Sequence, residues 1–428
     1  MLDISYIRNN SLALKQNITN RNLSGDMYDV DAFLAVDKKR SELIAHIDSL
    51  RAKRNEKSCI TSRPSESDVL EGKRLKEEIK NAEATLSEIQ STWQQHMDWF
   101  PNVVSEHMPV GKDESGNQEI KIWGEKKKFN FDAQSHIDIG ERLDIIDVSK
   151  SGDISGSRFY FLKKDAALLH WGLMSFVIKK LTQKGFELMI PPVIVKSRPL
   201  YGTGYFPAEQ SQIYELTQGE ALEDEQRRYL VGTSEQAIVS YHMDEILAIE
   251  KFPIKYAGVS TCFRSEAGSW GKDVKGIKRV HQFDKVEMIY ITTPQTSQAF
   301  MAEALAIEEE ILQELGLTYH VLEMCTGDVG LPTFRKWDVE VWLPSQQTWM
   351  ETHSNSDLAS YHTRRLNIRY KNEQGETVYP HTVSATAITN TRPIAAILDT
   401  YQQEDGSVLV PEVLREWVGK DVISSSNQ

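Results

Sequence analysis

Long apolar runs are missing from this 428-residue chain, and none approaches the ~18–20 residues needed to cross a bilayer, which argues against a helical membrane protein and for no membrane partner. A secretory leader is not expected either. Met1-Leu2-Asp3-Ile4-Ser5 has neither a basic n-region nor an h-region, and the start is not Arg-rich and acid-poor, so the expected location is the cytoplasm. Cysteine is scarce: Cys59, Cys262 and Cys325 lie far apart with no C-x-x-C pair, which excludes a zinc ribbon or disulfide framework and fits a reducing compartment. Positive charge is in deficit, 49 Lys and Arg against 62 Asp and Glu for a net charge of −13. That balance opposes wholesale nucleic-acid binding, although a global sum can hide a local basic surface. There is no G-x-x-x-x-G-K-S/T and no strand-bound G-x-G-x-x-G, so neither a P-loop nor a Rossmann nucleotide site is indicated.

Glycine and proline are nearly absent from about residue 30 to 100, and this absence is itself a signal. The region carries two apolar seams in alternating steps of three and four. The first is Phe33, Val36, Arg40, Leu43, Ile47 and Leu50; the second is Leu75, Ile79, Ala82, Leu86, Ile89 and Trp93. Such spacing puts one narrow stripe on each of two helices, the coiled-coil arrangement. Between them Lys57-Ser58-Cys59-Ile60-Thr61-Ser62-Arg63-Pro64-Ser65 holds turn formers and a helix-breaking proline, so an antiparallel hairpin is expected, each helix roughly 40–45 Å long. From Arg51 to Lys80 the bases (Arg51, Lys53, Arg54, Lys57, Arg63, Lys73, Arg74, Lys76, Lys80) outnumber the acids. This mildly basic distal arm can meet phosphates, although a solvated charged face or a dimerisation arm explains the same pattern. Residues 1 to about 25 read as a short polar start.

After Pro101 the patterns shorten and mix. A helix is expected from about Ala166 to Lys184 and another over Gln295–Leu315. Strands are expected at Tyr229–Val231, Tyr256–Phe263, Gln282–Ile291, Asp338–Leu343 and Thr348–Glu351. Strands mostly not separated by helices favour an antiparallel sheet in an α+β fold. The stretch richest in chemistry is Phe263-Arg264-Ser265-Glu266, a polar loop, then Arg279-Val280-His281-Gln282-Phe283 and Glu287. As two strands joined by a loop, it places Arg264 and Glu266 on one sheet face by alternation. Arg264 is suited to a phosphate, Glu266 to an amine, and Phe283 to stacking on a planar base.

That ordered set resembles motif 2 of class II aminoacyl-tRNA synthetases, and Lys184-Gly185-Phe186 with Pro192 resembles motif 1, which builds the dimer interface of that class. Cys262 to Ser269, Val231-Gly232-Thr233-Ser234-Glu235, Cys325-Thr326-Gly327-Asp328 and Tyr401 to Ser407 narrow the resemblance to seryl-tRNA synthetases of the bacterial type. The similarity covers about Met1 to Trp417. It implies a tRNA-binding domain over 1–103 with the helical arm, and a class II antiparallel-sheet catalytic domain over 104–428. The implied reaction activates L-serine with ATP and Mg²⁺ and transfers it to serine tRNA, in a homodimer whose arm grips the tRNA; whether selenocysteine tRNA is also charged stays open.

By the same resemblance Arg264, Glu266 and Arg392 are catalytic. Thr233, Ser234, Glu235, Arg264, Glu287 and Thr386 bind serine. Arg264, Ser265, Glu266, Val280, Phe283, Glu351, Thr352, His353, Ser354 and Arg392 bind ATP, and Glu351 and Ser354 hold the metal. The chain departs from the family's usual pattern at His353, at Asp357 and over Ser384-Ala385-Thr386-Ala387. Two rival readings remain: an amino acid:carrier-protein ligase on the same core, which would lack the arm, and a non-catalytic paralogue, which would have lost Arg264, Glu266, Glu351 or Arg392.

Overall fold

The computed structural model describes residues 1–58, 65–216, 227–268 and 275–425. Cys59 to Pro64 of the expected turn, and Ser269, lie outside the described residues. The chain divides into two compact units, Leu2–Pro101 and Asn102–Gln428, the latter joined by Met1.

In the first unit the long helices are α3 (Val30–Ser58) and α4 (Glu66–Trp99), which pack on one another. Asp29 accepts from the amides of Asp31 and Ala32 at the start of α3, and Ser65 and Asp68 form a reciprocal capping box at the start of α4. The seams face inward as their spacing requires: Phe33, Ile47, Leu50, Leu75 and Ile79 are buried, and the remaining seam residues are half-buried. Each fully buried aliphatic contributes roughly 1.5–3 kcal/mol. Near the base, the buried Asp37 accepts from Arg8 Nε at 2.7 Å and Trp93 Nε1 at 2.9 Å, so a carboxylate off the seam is satisfied rather than stranded.

The polar start is a correction. It folds into α1 (Ile4–Asn9) and α2 (Ser11–Asn20), and Ile7, Leu14 and Ile18 are buried. Two short helices whose apolar positions are diluted by asparagines carry too few turns for the 3.6-residue period to show.

Among the described residues the second unit is built on an eight-stranded sheet. Its strands in chain order are β1 (Gln118–Trp123), β2 (Glu187–Met189), β3 (Ile254–Phe263), β4 (Gln282–Thr292), β5 (Tyr319–Glu323), β6 (Arg335–Leu343), β7 (Thr348–Asp357) and β8 (His381–Thr389). They lie in the order β1-β5-β6-β7-β8-β4-β3-β2, antiparallel throughout except where β2 joins β3. One face is apolar: Val286, Met288 and Tyr290 of β4, Val339 and Val341 of β6, and Val383 and Ala385 of β8 share a core with α5 (Lys164–Gln183) and α7 (Ser297–Glu314). A short helix, α6 (Glu235–Val239), precedes β3, and α8 (Thr391–Tyr401) follows β8. Strands β1, β2, β5 and β8 were not foreseen, and β7 runs six residues past its expected end at Glu351; in β5, β7 and β8 polar residues on the other face hide the alternation.

Candidate active site

The polar residues of that other face line a cleft of about 340 Å³. Strict alternation does not explain its lining. On β7 it would group Glu351 with His353 and Asn355, and Thr352 with Ser354 and Ser356. The β6–β7 register instead pairs Val339 with His353 and Glu340 with Glu351, leaving Thr352 as an extra residue. This bulge brings Glu351 to the same side as Ser354 and Ser356. A second bulge lies on β8, where Glu287 pairs with Thr386 but Val286 pairs with Ile388, so Ala387 is extra. Ser384, Thr386 and Thr389 thereby all reach the cleft, while Ile388 stays in the core.

Around this floor the cations and carboxylates alternate. Arg264 Nε donates to Gly232 O at 3.2 Å, and its guanidinium sits 5.4 Å from the Phe283 ring centroid. Across the cleft Arg392 donates from Nε to Lys278 O at 3.0 Å, and its Nη1 meets Glu351 Oε2 at 3.1 Å. Burial pushes the Glu351 carboxyl up, but the charges of Arg392 and Lys336 outweigh it and hold the group at about 2. Lys336 also pairs with Asp338 at 2.8 Å, where burial dominates and raises the carboxyl to about 6.

A second group of acids closes one end. Glu287 is buried, with Oε2 against Lys285 Nζ and Oε1 accepting from Ser384 Oγ at 2.8 Å. Glu235 is buried as well, at the start of α6, with His362 Nδ1 at 3.7 Å from its Oε1. Burial pushes the His362 imidazole down to about 3, so it is neutral and supplies no counter-charge. Burial first, and then the charge of Glu287, push the Glu235 carboxyl up to about 8.

Of the residues singled out from the sequence, Thr233, Glu235, Arg264, Glu266, Val280, Phe283, Glu287, Glu351, Thr352, Ser354, Thr386 and Arg392 line this one cleft. Three do not. Ser234 is fully buried and donates to Gly258 O at 3.3 Å; Ser265 donates to Ser211 O at 2.5 Å. His353 is 1% exposed and turned away, because the bulge at Thr352 reverses the side on which it falls. Glu266 reaches the cleft by a different route from the one expected. β3 ends at Phe263, so alternation does not apply, and Glu266 takes φ +50° with its carboxylate against Arg279 Nε. Sequence reasoning missed Tyr205, Glu209, Lys278, Lys336 and His362, which also line the cleft. For Lys336 a signal existed: with Asp338 it alternates against apolar Trp337, Val339 and Val341, the mark of a strand with one polar face.

Residues 1–104 match the family described as the seryl-tRNA synthetase N-terminal domain, and 216–401 match the class II tRNA synthetase core domain of the Gly, His, Pro, Ser and Thr enzymes. The chain is 40% identical to the serine–tRNA ligase of Treponema denticola, covering 99% of this chain and 100% of that one. It is 38% identical to the serine–tRNA ligase of Rubrobacter xylanophilus over the whole of both. Among solved structures it is similar to the seryl-tRNA synthetase of Pyrococcus horikoshii complexed with ATP, with TM-score 0.91, 33% identity and full coverage of both chains.

Proposed function

The chain belongs to the seryl-tRNA synthetase family and is an ATP-dependent ligase that joins serine to tRNA, and from that premise we propose how its cleft divides the work. In the first step a serine carboxylate oxygen attacks the α-phosphorus of ATP, a P–O bond forms, and pyrophosphate leaves. In the second, the terminal ribose hydroxyl of the tRNA attacks the acyl carbon and AMP departs. Neither step needs a protein nucleophile, so the residues act by positioning and by neutralising charge.

Arg264 holds the α-phosphate and the serine carboxylate beside it, while its neighbour Phe283 supplies the face on which adenine stacks. Glu266 accepts from the adenine amine and Val280 adds backbone contacts. Arg392, already aligned on Glu351, reaches the outer phosphates. Glu351 is ionised at any working pH and, with Ser354, offers hard oxygens on one side of β7, which fits Mg²⁺ bound mainly through phosphates. When bound, the ion would screen the phosphate oxygens against the approaching carboxylate.

Serine selection follows from the acids. Glu287 is closely engaged by Lys285 and Ser384, whereas Glu235 faces a neutral imidazole and is only partly relieved by the charge of Lys285 and the Ser384 hydroxyl, so Glu235 is the acid left short of a cation and takes the serine ammonium. Thr233, Thr386 and Glu287 remain for the hydroxyl. A pocket that hydrogen-bonds a hydroxyl rejects the analogue lacking it far more strongly than a pocket of shape alone.

The observation that carries this reading is the single cleft in which Arg264 over Phe283 faces Arg392 on Glu351, with a buried acid pair at its end. The carrier-protein alternative loses its support because residues 1–104 match the seryl N-terminal domain, and the non-catalytic one because Arg264, Glu266, Glu351 and Arg392 all line the cleft. The partner of the α3–α4 arm is serine tRNA, met through backbone and shape contacts. The homodimer is supported by an apolar face around the edge strand β2, where Trp171 is 67% and Ile190 81% exposed beside Leu168 and Leu188. Among the described residues no helix is long and apolar enough to cross a membrane.

Amino-acid-dependent ATP–pyrophosphate exchange, comparing serine with alanine, threonine, glycine and cysteine, tests the reading. Exchange strongly selective for serine is expected; none with any amino acid from a folded protein would refute it.

A further inference from the structure

We propose that His353 is a positioning residue for the cleft: its imidazole takes the place of the ladder hydrogen bonds lost where β7 and β8 separate, and so fixes the direction of Glu351, Ser354 and Thr386. The inference rests on the reading of the cleft given above.

β7 and β8 pair at Asp357↔Val383, Ser356↔Ser384 and Asn355↔Ala385, and no further. Beyond that point each strand carries an extra residue in the pairing with its other neighbour, Thr352 on β7 three positions on, against β6, and Ala387 on β8 two positions on, against β4. A bulge leaves backbone groups without ladder partners and loosens the local geometry. Here both bulges fall at the same place, under the part of the sheet that faces the substrates.

His353 sits between them, buried. Its Nε2 is 3.0 Å from Ala387 O, and its Nδ1 is 2.8 Å from Thr352 Oγ1. A carbonyl only accepts, so Nε2 carries the hydrogen and donates it, and Nδ1 is left as an acceptor for the single Thr352 hydroxyl hydrogen, at 2.8 Å against 3.3 Å for the competing Val339 O. One ring therefore ties the two bulged residues together. On the same side of β7, Asn355 Nδ2 donates to Met301 O of α7 at 2.8 Å, which anchors the strand to the helix layer one step further on.

The consequence lies on the opposite face. The bulge at Thr352 puts Glu351 beside Ser354, and the bulge at Ala387 puts Thr389 beside Thr386. If either bulge slid by one residue, Glu351 or Thr386 would turn out of the cleft and an apolar or bulky neighbour would turn in. An apolar side chain at 353 fills the space but does not pin the register.

The test compares two amide variants of the full chain, His353→Gln and His353→Asn, in serine-dependent ATP–pyrophosphate exchange, with thermal unfolding measured alongside. The glutamine amide ends near the site of Nε2 and reaches Ala387 O. The asparagine amide ends near Nδ1, keeps Thr352 and falls short of Ala387. His353→Gln is expected to stay within about threefold of the parent, whereas His353→Asn raises KM for ATP and for serine about tenfold each, with kcat reduced less. Should the Asn chain not fold, His353→Met fills the volume without a donor and carries the same expectation as Asn. Equal kinetic change in the Gln and donor-deficient variants, or a loss of thermal stability with unchanged KM values, would overturn the proposal. Absence of serine-dependent exchange in the parent would instead sink the functional reading beneath it.

Discussion

Burial and the charge of Glu287 push the Glu235 carboxyl up to about 8, so on the proposed assignment of Glu235 to serine the group is protonated at neutral pH before serine binds. A serine ammonium binds the ionised form, so binding must release that proton. The apparent dissociation constant is then the intrinsic one multiplied by 1 + 10^(pKa − pH), which is ~100 at pH 6, ~10 at pH 7 and ~2 at pH 8 for a group near 8. Affinity for serine should thus improve about fiftyfold between pH 6 and pH 8 and then level off, with ~0.9 proton released per serine bound at pH 7. Glu235→Gln removes the titrating group and the charge-assisted bond together. At pH 8.5 it should weaken serine binding by about 10- to 100-fold, the effect of ~1.5–3 kcal/mol, and its pH dependence should be nearly flat. KM for serine in pyrophosphate exchange from pH 6 to 9 measures the slope. Calorimetry in two buffers of different ionisation enthalpy measures the proton. A flat profile in the parent, or the same slope in Glu235→Gln, would refute the assignment of Glu235 to the ammonium. The linked stability effect has the opposite sense: a carboxyl raised from its ordinary 4.5 binds protons in the folded state that the unfolded state has lost, so the ligand-free fold weakens as pH rises through that window.

Other residues give sharper yes-or-no outcomes. Arg264→Lys keeps the charge but loses the planar fork over Phe283, and should lower kcat for exchange about 10²- to 10³-fold with a smaller effect on thermal stability. Glu351→Gln should raise the Mg²⁺ concentration for half-maximal exchange about tenfold; a Mg²⁺ curve superimposable on the parent's would remove Glu351 from the metal's reach. Deleting Ser41 to Thr92 joins Arg40 to Trp93, neighbours already since the Arg40 guanidinium lies 4.7 Å over the Trp93 ring. The shortened chain should retain serine-dependent exchange and lose tRNA charging, and full charging would show that the arm does not hold tRNA.

The arm was legible because its chemistry is periodic. A stripe from Phe33 to Leu50 and another from Leu75 to Trp93 can be buried by two helices against each other with no help from the rest of the chain. The cleft was legible in a different way: Arg264, Glu266, Phe283, Glu287, Glu351 and Arg392 are residue types whose order along the chain carries a resemblance, and no local period points to them. Where both signals were weak the reading failed. α1 and α2 are too short to show a stripe, and β8, with Ser384, Thr386 and Thr389 turned to the cleft, does not look like a buried strand.

What the sequence determined by itself is the inventory: which groups are available, that a hairpin arm precedes a strand-rich unit, and which family the order of motifs belongs to. Direction was decided only in three dimensions. Alternation assigns Glu351 and His353 to one face of β7, and one extra residue between the partners of Val339 and Glu340 sends them to different faces, the first to the cleft and the second into the core. Likewise nothing local to Glu235 distinguishes it from a solvated acid; its raised carboxyl comes first from burial and then from Glu287, fifty-two positions later in the numbering. Side-chain chemistry is a property of the residue, but which way it faces and what charge it carries are set by the neighbours that pairing and packing bring to it.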